Sequence, residues 1–122
     1  MREIKFRMWL QKSKKMLIIN STLEQLCFED GHYYTCNGTD EEPIFLQYID
    51  LKDKNGKEIY EGDIIGDKYD TLGYVLWDDY RIRYICRRLD ESFAMSISKN
   101  VITRYNFYII GNIYENPELL KN

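Results

Sequence analysis

Apolar and polar positions alternate at the start of the chain, where Ile4, Phe6 and Met8 interleave with Lys5, Arg7 and Trp9. A period of two marks a strand with one apolar face, so Glu3 to Leu10 is expected to be a strand. The polar stretch Gln11 to Lys14 holds a turn, and Met16 to Ile19 returns as its hairpin partner. Leu23 to Phe28 fits either one helical turn or a strand. His32 to Cys36 reads as a strand, bounded by Gly31 and Asn37-Gly38. Thr39 to Pro43 is an acidic loop, and Ile44 to Tyr48 is a strand.

The densest signal runs from Leu46 to Ile65. Asn55-Gly56 lies between two β-prone runs, and this dipeptide predicts a type I′ hairpin turn, with φ > 0 at both central positions. Lys57 to Tyr60 follows as a strand. A second turn at Glu61-Gly62-Asp63 feeds another strand, Asp63 to Gly66. Two tight turns and three short strands so close together predict a small barrel or a strongly bent sheet. Further strands are expected at Gly73 to Trp77, at Arg81 to Arg87 after a turn at Asp78-Asp79, at Ser92 to Ser98, and at Tyr105 to Tyr114. Gly111, within the last of these, marks a bulge or a close backbone approach. Asn116 suits a helix N-cap, Pro117 the first helical position, and Glu118 the positive end of the helix dipole. A short C-terminal helix, apolar through Leu119 and Leu120, is expected to cover an open barrel edge. The fold class is therefore mainly β. Residues 1–122 form a single antiparallel barrel-like or bent-sheet domain with SH3-like or pseudo-barrel features and a short C-terminal helix.

The Leu46–Ile65 block resembles the signature of the YopX family, small proteins of phages and prophages. The resemblance extends to Met1–Trp9, to Lys14-Lys15-Met16-Leu17, to Gly73–Asp78 and to Tyr108–Leu119, all in order along the chain. Ser21 to Glu42 and Arg87 to Arg104 lie outside it. It implies a phage or prophage accessory protein, and it supplies no catalytic residues.

Composition narrows the function classes. The chain has 122 residues, of which 44% are apolar, so one domain with one core is affordable. Aromatics make up 15%, and the 11 tyrosines suit a half-buried pleated surface. No apolar run is long enough to span a bilayer, and the charged start does not read as a signal peptide. Cys27, Cys36 and Cys86 make an odd set without a leader, so reduced thiols and a cytoplasmic setting, that of the host cell for a phage protein, are expected. The net charge of −3 argues mildly against a dedicated nucleic-acid binder.

Candidate chemistry is sparse. Cys27, His32 and Cys36, with Asp30 nearby, are suitable zinc ligands, but their spacing is not that of a finger and nothing completes four ligands, so no metal is expected. His32 is the sole histidine and would have to serve Cys27 or Cys36 as base, without a nucleophile elbow anywhere. Asp50, Asp53, Glu58, Glu61, Asp63, Asp78 and Asp79 fall in or beside turns, where short acidic side chains bond local backbone. No phosphate loop or dinucleotide fingerprint is present, so no cofactor is expected and the protein does not read as an enzyme.

Two surfaces remain. Trp9, Tyr33, Tyr34, Tyr69 and Tyr80 are aromatics of the kind that interface hot spots favour, and Trp9 lies on the otherwise charged side of the first strand. They point to a non-catalytic protein-binding or self-assembling module, either a homo-oligomer or one that meets a host or phage protein. The alternative is a single-stranded nucleic-acid binder using Tyr80, Arg81, Arg83, Arg87 and Arg88. In a regular strand Arg81, Arg83 and Arg87 share one face. That reading requires Asp78, Asp79 and Asp90 to turn away from the arginines.

Overall fold

A computed structural model describes residues 3–19, 26–29, 32–35, 43–88 and 94–120; for 19, 26–29 and 32–35 it describes the backbone. Eleven strands occur among these residues: β1 Phe6–Leu10, β2 Lys15–Ile19, β3 Leu26–Glu29, β4 His32–Thr35, β5 Ile44–Lys52, β6 Glu58–Tyr60, β7 Asp63–Gly66, β8 Thr71–Asp78, β9 Arg83–Arg88, β10 Ala94–Ser96 and β11 Tyr108–Asn112. One helix, α1, spans Lys99–Tyr105, and a 3-10 turn spans Pro117–Leu120. The protein is mostly β, with a curled half-barrel sheet and one short helix.

The strands form two antiparallel sheets, ordered β2-β1-β5-β6 and β10-β9-β8-β7-β11, and a separate β3-β4 hairpin. The alternation in the first strand sets its register. Met8 pairs with Leu17 and Phe45, and Trp9 with Met16 and Ile44. The main core gathers Ile49, Ile59, Ile65, Val75, Cys86, Ile97, Ile102 and Phe107, so β5 to β9, α1 and the entry to β11 share one apolar centre. The side chains there are at most 8% exposed, enough to contribute about 1.5–3 kcal/mol for each large aliphatic.

Turn chemistry joins the two sheets. Asp53 is buried, and its Oδ1 accepts from the N–H groups of Asn55 and Lys57, each at 2.9 Å. Its Oδ2 accepts from Ile109 N at 2.9 Å, which ties the β5–β6 turn to β11. The next turn is tied in the same way, because Gly62 N donates to Val75 O and Ile113 N donates to Gly62 O.

Three expectations are corrected. The Asn55-Gly56 turn is not type I′. Only Gly56 has positive φ (+82°), Gly56 N donates to Asp53 O, and Asp53 N donates to Lys57 O. This is a type I turn closed by a left-handed glycine, and the Asp53 carboxylate stabilises it by taking two of its N–H groups. The strand expected at Tyr105 to Tyr114 begins only at Tyr108, because Lys99–Tyr105 is a helix. Ser98 caps it through Oγ, and Asn106 ends it at φ 55°. The short C-terminal helix is present, as a single 3-10 turn that opens at Pro117, but the Asn116 side chain does not cap it. Asn116 Oδ1 accepts from Asn112 N at 3.1 Å and so serves the end of β11 rather than a helix N-terminus. Gly111 meets its expectation twice. The β11–β7 register shifts between Ile109 and Gly111, and a Cβ on Gly111 would meet Asn116 Oδ1 at 2.5 Å.

Candidate binding groove

A concave surface lies along β5. Its nine residues are interrupted at Asp50, which has φ 63°, and the register with β6 shifts between Tyr48 and Lys52. The bulge re-aims the strand so that Asp50 and Lys52 stand exposed beside buried Ile49 and half-buried Leu51. Across from it stand α1, which contributes Lys99, the β8–β9 turn, which contributes Ile82, and the start of β9, which contributes Arg83. Two cavities of ≈ 480 and ≈ 700 Å³ share Asp50, Leu51 and Lys99 and so form one continuous groove. Lys52, Lys54, Thr103 and Asn106 line the first part. Trp77, Ile82, Arg83 and Tyr84 line the second.

Four cations, Lys52, Lys54, Lys99 and Arg83, thus face two carboxylates, Asp50 and Asp53. Asp53 is already engaged by three backbone N–H groups. Lys54 Nζ lies 5.6 Å from the Tyr108 ring centre. Trp77 is half exposed and is held edge-on to Tyr84, with centroids 4.9 Å apart. Among the described residues, the non-glycine ones with positive φ are Lys14, Asp50, Ile82 and Asn106, and the last three line this groove. For Ile82, β-branched and 74% exposed, this conformation is a true outlier that local packing does not explain.

A second polar cluster is buried behind β1. Arg7 Nη2 donates to Asp63 Oδ1 at 2.6 Å, and Asp63 Oδ2 accepts from Tyr60 N at 2.8 Å. The Arg7 guanidinium lies 4.8 Å from the Tyr60 ring centre. Burial pushes the Asp63 carboxyl above its ordinary value, and Arg7 and the Tyr60 N–H pull it back. Arg7 Nη2 also reaches Glu61 O at 3.4 Å, while its Nε is buried without an acceptor, so the pair acts as a structural knot. Asp63 was legible as a turn residue, but its partner 56 positions away was not.

The YopX protein family model matches residues 5–121 of this chain. The chain belongs to the YopX family. A solved structure, the crystal structure of protein EF1440 from Enterococcus faecalis, resembles it with 30% identity and a TM-score of 0.66, covering 99% of this chain and 100% of that one. No curated protein matches.

Within this YopX-family chain the sequence candidates part company. Trp9 is not exposed. It is 6% accessible, and its ring lies 5.7 Å from that of Tyr114, so it is a core residue and not the interface aromatic expected. The side of β1 that reads as charged is covered by the Asp63 turn and by Tyr114, which is why Arg7 is buried alongside it. Tyr33 and Tyr34 lie on β4, where the backbone is described; Cys36 and Asp90 lie outside the described residues.

The arginine row is also broken. Ile82 has φ 53° and β9 begins at Arg83, so Arg81 sits in the turn and not on the strand face of Arg83 and Arg87. Asp78 does not turn away. Its Oδ2 lies 3.2 Å from Arg81 Nη1, and its Oδ1 accepts from Tyr80 N at 3.0 Å. Tyr80 is 90% exposed at the turn tip. The Arg87 Nε is buried without an acceptor, Arg88 is half-buried, and Arg83 alone of the set reaches the groove. The lysines that join it there were missed. They come from distant segments, and nothing in their local sequence distinguishes them from solvated surface charges.

Proposed function

We propose that this protein acts without catalysis, as a cytoplasmic phage or prophage accessory module that assembles with a second copy of itself through the free edge of β2. The observation that carries this reading is the position and composition of that strand. Lys15–Ile19 ends its sheet and reads Lys-Met-Leu-Ile-Ile, with Ile18 53% exposed. Ile4 and Phe6, on the adjoining segment, are also exposed, at 69% and 38%. An apolar edge strand presents unpaired backbone groups and invites another strand. Lys14 and Lys15 stand at one end of the edge. Antiparallel pairing of two copies centred on Leu17 sets Lys15 opposite Ile19 of the other copy, and so keeps the lysines apart while each strand completes the other's sheet.

Light scattering on the untagged protein tests this. The expected mass is near twice the 14.8 kDa of the chain, and Ile18→Lys returns it to a monomer without loss of fold. A wild-type monomer at high micromolar concentration overturns the reading.

A further inference from the structure

Edge pairing through β2 leaves the β5 groove unused, and the groove carries its own chemistry. The chain as a whole has a net charge of −3, yet cations outnumber carboxylates there. Among the described residues Lys52, Lys99 and Arg83 have no ion-pair partner. Of the nearby carboxylates, Asp53 is engaged by backbone N–H groups and Asp78 by Arg81, which leaves Asp50 as the one that opposes them. Positive charge is therefore gathered from β5, α1 and β9 onto one concave surface, in excess of the carboxylate beside it. Beside it Trp77 presents part of its ring, braced by Tyr84. The groove walls also hold three non-glycine residues in left-handed backbone, Asp50, Ile82 and Asn106, of which the β-branched Ile82 is the costly one. Such strain persists where the surrounding structure imposes it and is concentrated at binding sites.

We propose that this groove binds single-stranded nucleic acid, with backbone phosphates on Lys52, Lys99 and Arg83 and an unstacked base against Trp77. Cations that track the backbone beside an aromatic platform are how sequence-tolerant single-strand sites are built. A duplex keeps its bases stacked on one another and offers none to Trp77. Asp50 stands at the junction of the two cavities, where its carboxylate opposes a phosphate and moderates the affinity.

The test uses anisotropy of a labelled short oligothymidylate on the full chain, with thymidine monophosphate, the same duplexed sequence and polyglutamate as competitors. The Ile18→Lys variant is run beside the wild type, so that loss of self-association and loss of strand binding are read separately. The expected result is binding whose log affinity falls with log salt with a slope of about −2, that is, three phosphates at about −0.7 each. Lys52→Glu with Lys99→Glu should weaken it at least about tenfold, Asp50→Asn should tighten it about threefold, and the off-groove control Lys68→Glu should leave it unchanged. Trp77→Phe should abolish fluorescence quenching by the strand, because the remaining tryptophan, Trp9, is buried. Four results overturn the proposal: no binding at low salt, affinity indifferent to the double lysine variant, equal affinity for the monophosphate, or equal competition by duplex or polyglutamate.

Discussion

At the scale of single residues, the Arg7–Asp63 pair is the interaction on which the fold is most sensitive to charge. Asp63 is 1% exposed and Arg7 9%. Removing one partner strands the other charge in the interior, which costs about 3–5 kcal/mol, whereas exchanging both for apolar side chains of similar volume is close to neutral. Asp63→Ala should therefore lower the urea midpoint severely, and Arg7→Met with Asp63→Leu should restore most of it. The pair also sets a pH dependence. The folded carboxyl is held above its ordinary value by burial, so the stability it contributes is complete below the unfolded pKa and is lost as pH rises through the folded one. The difference in unfolding free energy between wild type and Asp63→Asn should be larger at pH 4 than at pH 7; an equal difference would show the carboxyl to be unshifted, and an inverted one would show it to be lowered. Tyr60 offers a simpler test. Its buried hydroxyl has no hydrogen-bond partner, and Tyr60→Phe keeps the ring beside Arg7, so the substitution should be neutral or stabilising by up to about 1 kcal/mol. Cys86 is 1% exposed and burial pushes its thiol up to about 12. Peptide mapping after native alkylation at pH 8 should find Cys86 unmodified, and modified once urea is added.

At the scale of elements, β8 and β9 form the central ladder, pairing from Gly73↔Arg88 to Asp78↔Arg83. Gly73 sits where the strands are too close for a side chain: a Cβ there would meet the Arg87 carbonyl oxygen at 2.0 Å. Gly73→Ala must open the ladder and should cost about 3 kcal/mol. Gly56, with φ +82° and nothing within 4 Å, provides the comparison, since alanine there meets only backbone strain of about 1–2 kcal/mol. Equal losses in thermal melts of the two variants would argue that ladder geometry is not what fixes Gly73. The elements also show what a sequence discloses. Strands were legible where alternation or turn residues marked them, β1 by its period of two, Lys15–Ile19 as the return after a polar turn and Asp63–Gly66 by the turn before it, because these signals are local to the chain. The helix at Lys99–Tyr105 was not. Val101, Ile102 and Thr103 are β-branched and disfavour helix, and Ile102 is helical because the core takes its side chain. Ser98 was the signal that could have revealed it. The Asn55-Gly56 turn misled because Asp53, two positions before, bonds the turn N–H groups and selects another geometry. Of the groove, Arg83 was legible and Lys52, Lys54 and Lys99 were not, since only the bulge at Asp50 and the packing of α1 bring them to one surface.

At the scale of the molecule, the two sheets belong to one cooperative unit because their links pass through buried backbone bonds. Asp53 holds the β5–β6 turn to β11, and Gly62 holds the β6–β7 turn to both β8 and the segment after β11. Ile49 and Ile59 from one sheet share a core with Ile65, Val75 and Cys86 from the other. Neither sheet can open without exposing that core, so unfolding should be two-state. The chain carries a natural reporter in each sheet, Trp9 on β1 and Trp77 on β8. In Trp77→Phe the fluorescence reports the first sheet, and in Trp9→Phe it reports the second. Within each variant the fluorescence and far-UV circular dichroism midpoints in urea should coincide, although Trp9→Phe should have the lower midpoint because Trp9 packs on Tyr114. Asp53→Ala leaves three N–H groups without their acceptor and should shift the midpoints of both reporters down together, by about 2–4 kcal/mol. If it moves one reporter and leaves the other in place, the links between the sheets are weaker than the core they enclose, and the half-barrel unfolds in two steps.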